Sequence, residues 1–131
     1  MISSNLYDYI NVLDKAADAT YLRKEAIDHN IANQDTPGYK RIDVDFQSVL
    51  ERELGYSKYV SLDSRMRGVQ SHLDHLDVNT YVDSANYSYR IDENNVDPEQ
   101  EYVQMAETQI TYNALIDSMN QEFARIKSVI K

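Results

Sequence analysis

Asn30-Ile31-Ala32-Asn33-Gln34-Asp35-Thr36-Pro37-Gly38-Tyr39-Lys40 is the stretch on which the fold turns. No glycine or proline occurs between Met1 and Thr36, so the residues upstream can form one uninterrupted helix. Asn33 suits a helix terminator, because asparagine tolerates left-handed backbone angles. Thr36 precedes proline and is pushed toward extended geometry. Pro37 and Gly38 fit the centre of a type II turn, where glycine supplies the positive φ. The reading is a long helix that stops, turns sharply and lays Tyr39 against another part of the chain.

Upstream of the turn, Leu6, Ile10, Leu13, Ala17, Thr20, Lys24, Ile27 and Ile31 advance by alternating steps of four and three. That spacing keeps them on one helix face, with Lys24 the only charged interruption. Asp8 lies near the start and Arg23 and Lys24 toward the end, the order that the helix dipole favours. A helix from about Ser4 to about Asn33 is predicted.

The far end of the chain repeats the design. In Asp97-Pro98-Glu99-Gln100, Asp97 can cap free amides, Pro98 suits the first helical position and Gln100 can complete a capping box. Tyr102, Met105, Gln109, Tyr112, Ile116, Met119, Phe123, Ile126 and Ile130 then take the same alternating steps. Glu99, Glu101 and Glu107 come early while Arg125, Lys127 and Lys131 come late, again matching the dipole. This helix should run nearly to the last residue, roughly 50 Å at about 1.5 Å per residue.

Two heptad-like stripes at opposite ends of one chain seek each other, and an antiparallel pair is the simplest closure. The predicted fold is therefore mainly α: two long terminal helices packed as an antiparallel, coiled-coil-like pair. A seam of about eight side chains per helix, several polar or tyrosine, makes a marginal monomer against the entropy cost of ordering. Further helices, from other copies, would complete the core.

The run Asn30 to Tyr39 resembles the signature of the bacterial flagellar rod and hook family, an Asn-aliphatic-Ala-Asn-x-x-Thr-Pro-Gly-Tyr motif after the N-terminal helix. Asn30, Ala32, Asn33, Thr36, Pro37, Gly38 and Tyr39 all match it. Asp28 and His29 stand where family members usually carry small or hydroxyl residues. Lys40 to Phe46 resembles the continuation in the proximal-rod B-type subunit. Asn95-Val96-Asp97 through Tyr112-Asn113-Ala114-Leu115 and on to Ile130 resembles that subunit's C-terminal helix. On this resemblance, residues 1–34 are an N-terminal rod helix and residues 97–131 a C-terminal one. Residues 35–96 between them hold the signature turn, a short helix and a middle segment.

Composition narrows the function. The 131 residues carry a formal net charge of −9, with pI near 4.6, which disfavours nucleic acid and membrane surfaces as partners. Without cysteine there is no disulfide, thiolate nucleophile or cysteine-ligated zinc. Met1 to Asn5 lacks a basic region followed by an apolar run, so no cleavable secretory signal is expected. No stretch approaches the roughly 18 apolar residues that span a bilayer, so direct membrane insertion is not expected.

In the middle, Phe46, Val49, Leu50 and Leu54 share a helical face, with Asp45 as cap and Gly55 as terminator. Val78 to Val82 and Tyr87 to Ile91 have β-type composition, and Asp83 to Asn86 can link them as a hairpin. The rest of the region from Tyr56 to Asn95 reads as partly irregular.

Candidates for chemistry are few. His72 and His75, interleaved with Asp74 and Asp77, have the spacing of a metal pair, but a solvated polar segment accounts for them better. Asp43 and Asp45 resemble paired carboxylates, yet capping of the next helix explains both more economically. His29 beside a helix end reads as dipole stabilisation. No phosphate-cradling loop, nucleophile elbow or dinucleotide fingerprint is present, and no cofactor is called for. The 11 tyrosines fit partly wet protein interfaces, Tyr7, Tyr9, Tyr21, Tyr102 and Tyr112 among them.

The resemblance implies a structural subunit of the flagellar proximal rod, in the cell envelope, reached through the flagellar export apparatus without signal cleavage. Its implied partners are other proximal-rod subunits and the rod-base adaptor protein. Leu6, Ile10, Leu13, Ile27, Ile31, Tyr102, Met105, Tyr112, Ile116, Met119, Phe123, Ile126 and Ile130 would build the helix packing and the assembly. Two readings rival it: a small acidic export chaperone, which size and charge fit but which usually needs a substantial sheet, and a metal-dependent hydrolase built around His72 and His75.

Overall fold

A computed structural model describes residues 5–54, 61, 62, 64, 78–83 and 91–130. Two helices dominate it, α1 over Asn5–Ala32 and α3 over Pro98–Val129. Between them lie strand β1 (Ile42–Asp45), the short helix α2 (Gln47–Leu54) and strand β2 (Asn79–Val82). The end of α1 and the start of α3 fall where the residues dictate. Asp97 caps α3, its carboxylate accepting from the Glu99 and Gln100 amides, with Pro98 in the first turn.

α1 and α3 pack antiparallel. Asn30, near the end of α1, bonds Glu101 in the first turn of α3, while Thr20 lies beside Thr108 further along. The Thr20–Thr108 crossing is flanked by two shallow grooves, one lined by Tyr21, Lys24, Gln109 and Tyr112, the other by Arg23, Glu107 and Thr111. The small residues at the crossing let the two backbones approach.

α1 is the central element. Ile10, Ala17 and Ile27 are buried, with Leu13, Thr20, Lys24 and Ile31 half-buried beside them. Val12, Ala19, Ala26 and Asn30 are buried as well, so the covered surface of α1 is wider than one heptad stripe. The side chain of Leu6 lies outside the described residues.

The inward face of α3 is turned from the stripe expected. Its least exposed positions are Glu101, Met105, Thr108, Tyr112, Leu115, Ile116, Met119, Glu122 and Ile126. Tyr102 and Gln109 face solvent, and Phe123 and Ile130, though in phase with the inward positions, are exposed at the far end of the helix. The cause is polar. Glu101 is held inward by Asn30 and Arg41, which brings Thr108, Leu115 and Glu122 to the seam and carries the neighbouring register outward.

β1 and β2 pair antiparallel, with Ile42 opposite Val82 and Val44 opposite Thr80. Val44 points into the core against α1, completing the buried set with Val96. The β-type reading of Val78 to Val82 thus corresponds to β2, but its partner here is β1. Of the expected partner Tyr87 to Ile91, residues 87–90 lie outside the described residues and Ile91 stands in a turn. α2 occupies the segment expected, and Asp45 accepts from the amide and hydroxyl of Ser48. Gly55 lies outside the described residues. Among the described residues, no helix is long and apolar enough to cross a membrane.

Candidate functional site

The turn after α1 is cross-tied to the chain just before α3, and the tie is built almost entirely from polar side chains. Asn30 sits at its centre with no exposed surface. Its amide nitrogen donates to the Ile42 carbonyl at 2.8 Å and to Glu101 Oε2 at 3.1 Å. Its oxygen accepts from the Ile42 amide at 2.9 Å and from the Tyr39 hydroxyl at 3.3 Å. Both hydrogens and both lone pairs are thereby used, which is what a buried carboxamide requires. Asn30 bonds the backbone of Ile42 in both directions, as a strand neighbour would, and so fastens β1 to α1.

Asn33 ends α1, though not by adopting a left-handed backbone. Among the described non-glycine residues only Glu93 has a positive φ, at 61°. Asn33 instead folds its side chain back, Nδ2 donating to the His29 carbonyl at 2.8 Å. The same carbonyl also accepts from the Asn33 backbone amide at 3.1 Å, so main chain and side chain of Asn33 both fold back onto the last turn. Gly38 carries φ +72°, and the Tyr39 amide donates to the Thr36 carbonyl at 3.3 Å across Pro37-Gly38. A side chain at Gly38 would meet nothing within 4 Å, so glycine is there for the backbone angle and not for space. Ala32, Thr36, Pro37 and Gly38 are exposed, and Tyr39 is half-buried.

The opposing strand of the tie is Asp92 to Val96. Asn94, buried, donates from Nδ2 toward three carbonyls of the helix end and turn: Asn33 at 3.0 Å, Gln34 at 3.0 Å and Thr36 at 2.9 Å. It fastens the turn that follows α1 from sixty residues further along the chain. The Gly38 amide donates to the Asp92 carbonyl, Lys40 Nζ to the Glu93 carbonyl, and the Arg41 amide to Asn95 Oδ1.

Arg41 holds the interior of the tie. Its guanidinium donates to Glu101 Oε1, to Asp43 Oδ2 at 2.9 Å and to Gln104 Oε1 at 2.7 Å. Burial works to lower the Arg41 pKa, but the hydrogen bonds from Glu101 and Asp43 outweigh it and the net direction is upward. Asp43 also stands 3.7 Å from Arg23 Nε, whose N–H is buried without a hydrogen-bond partner. Asp43 is therefore an ion-pair residue and not a helix cap. The Tyr39 hydroxyl is pushed above its usual pKa, first by burial and then by the nearby Glu101 carboxylate.

Every charged group in this cluster is committed to another protein group, which is the arrangement of a structural joint and not of a reaction centre. The residues the sequence marks in the turn, Asn30, Asn33, Thr36, Gly38 and Tyr39, are gathered on one side of it. Arg41, Asn94, Asn95 and Glu101, equal partners in the geometry, carry no motif of their own. A signal for Glu101 does exist: it lies one turn ahead of Met105, in phase with the helix face that packs inward. The sequence-marked packing residues divide in two. Ile10, Leu13, Ile27, Ile31, Met105, Tyr112, Ile116, Met119 and Ile126 are buried or half-buried, whereas Tyr102, Phe123 and Ile130 are exposed. His72 and His75 lie outside the described residues.

No protein-family model matches the chain. Curated relatives do. The chain is 35% identical to the flagellar basal body rod protein FlgB of Bacillus subtilis over 124 residues, 92% of each chain. It is 30% identical to that of Borrelia hermsii over 129 residues, covering 93% of this chain and 95% of the relative. Identity to the Escherichia coli protein of the same name is 27% over 116 residues, 83% of each. Likeness at this level across nearly the full length, on a chain whose two terminal helices are joined at the signature turn, places it with these relatives: the protein belongs to the flagellar basal body rod protein FlgB family.

Proposed function

We propose that this chain is a subunit of the proximal part of the flagellar rod, where it joins the rod-base adaptor protein to its fellow proximal-rod subunits. It is a structural component of the flagellar basal-body rod and not an enzyme. It reaches the rod through the flagellar export apparatus without signal cleavage and stands in the periplasmic space. Residues 1–34 and 97–131 serve as the two rod helices, and residues 35–96 set how the chain leaves one and enters the other.

The observation that carries this reading is a contrast between the two ends of the helix pair. At one end the helices are locked together by Asn30, Arg41, Asn94 and Glu101. Along the rest of α3, Tyr102, Val103, Ile110, Phe123 and Ile130 stay exposed, more apolar surface than one solvated helix should leave uncovered. A rigid joint with open apolar helix faces suits a part that transmits torque through packed neighbours. The packing residues named from the sequence then act in two groups, the inward ones within the chain and Tyr102, Phe123 and Ile130 between chains.

Quantitative mass spectrometry of purified hook–basal bodies from the native host tests the proposal. Retention in a fixed ratio to other rod proteins is the expected result. Absence from the particles together with abundance in the cytosol would overturn it and favour an export chaperone.

A further inference from the structure

The two long helices expose surfaces of opposite character. On α1, Tyr7, Asp14, Asp18, Tyr21, Glu25 and Asp28 are all exposed, and their spacing of sevens, fours and threes draws one straight stripe. From Tyr7 to Asp28 the stripe runs roughly 30 Å at about 1.5 Å per residue. None of its four carboxylates has an ion-pair or hydrogen-bond partner among the described residues. Tyr21 borders the groove that Gln109 and Tyr112 of α3 also line, while Asp14, Asp18, Glu25 and Asp28 are exposed along the stripe beside it.

The last turns of α3 have the complementary make-up. Phe123 is 52% exposed and Ile130 is 72% exposed, although both lie on the side of α3 that elsewhere packs on α1. Lys127 is exposed beside them and, among the described residues, has no ion-pair partner, while Arg125 makes a surface pair with Glu122. The end of α3 is thus an apolar and basic tip.

We propose that the α3 tip of one copy docks on the acidic tyrosine stripe of α1 in the next. The inference rests on the rod reading above and names the contact that would build the assembly. Charge selects the occupant. A chain with net charge −9 repels its own copies unless its few unpaired cations meet its surplus acids, and this pairing does that. Tyr7 and Tyr21 supply flat apolar bodies for Phe123 and Ile130, with phenol groups that stay wet. The two patches lie on different faces, so the contact is heterologous, and repetition gives an open helical array instead of a closed dimer.

Charge reversal on the full chain tests it, because all four sites are exposed and outside the joint. Asp18→Lys with Glu25→Lys should weaken self-association at low salt about tenfold or more, and Arg125→Glu with Lys127→Glu should do the same. Mixing the two variants should restore association, since each supplies the reversed partner of the other. Circular dichroism of each variant should match wild type. Loss in both variants without recovery on mixing overturns the proposal, as does a wild-type chain that never self-associates. Recovery of wild type in hook–basal bodies alongside either negative result would sink this contact while leaving the rod assignment standing.

Discussion

Asn30 and Arg41 show how much of this molecule depends on polar groups that have no water to fall back on. Breaking a buried ion pair from one side leaves the other charge stranded, which commonly costs about 3–5 kcal/mol, whereas replacing both partners with apolar residues is often nearly neutral. Arg41→Met should therefore lower the thermal midpoint sharply. Arg41→Met with Glu101→Met should recover a large part of the loss, because the carboxylate is no longer stranded. Equal melting of the single and double variants would show that the pair is not what holds the joint. Tyr39 gives a pH signature. Its pKa is raised in the folded chain above 10.0, so the stability it adds is fully present below pH 10 and is lost as pH rises through the folded value. Wild type should melt above Tyr39→Phe at neutral pH and lose that advantage in alkali. A constant difference across the range would mean that the hydroxyl proton is not shared with Asn30.

At the scale of elements, periodicity did most of the work and failed where pairing was distant. α1, α2 and α3 follow from apolar spacing and from caps that lie within four residues of the helix ends. Asp97 is such a cap. Asp97→Ala should cost about 1 kcal/mol and fray the first turn of α3, visible as faster amide exchange at Glu99 and Gln100. Unchanged exchange there would assign the helix start to Pro98 alone. The sheet was only half legible. Four-residue strands carry little pattern, and β2 pairs with β1, nearly forty residues earlier, in a contact no local turn announces. Asn94 was illegible for the same reason: a lone asparagine in a loop says nothing about fastening a turn sixty residues away. The rotated face of α3 has a different cause. Apolar counting favoured Tyr102, while a satisfied buried Glu101 decided the register.

For the whole molecule, the joint is strong and the shaft is weak. α3 buries only Glu101 and Thr108 fully, both in its first half, so the second half of a 32-residue helix leans on partial cover. Helices of this kind owe their stability to packing more than to propensity. Circular dichroism of dilute monomer should report much less helix than α1 and α3 together contain, rising as copies associate. Full helicity in dilute monomer would show that the shaft needs no neighbours.

The bonds that fasten the turn after α1 also set a timetable. The carbonyls of Asn33, Gln34 and Thr36 wait for Asn94, and Asn30 waits for Glu101, 71 residues later. A ribosome delivers the N-terminal end first, so α1 emerges unfinished and stays so while most of the chain is still being made. Joining ends so far apart in sequence is slow compared with winding a helix, because the loop must be drawn shut before any bond rewards it. The tail of this polypeptide acts as its own clock, and the head holds no fixed shape until that clock has run.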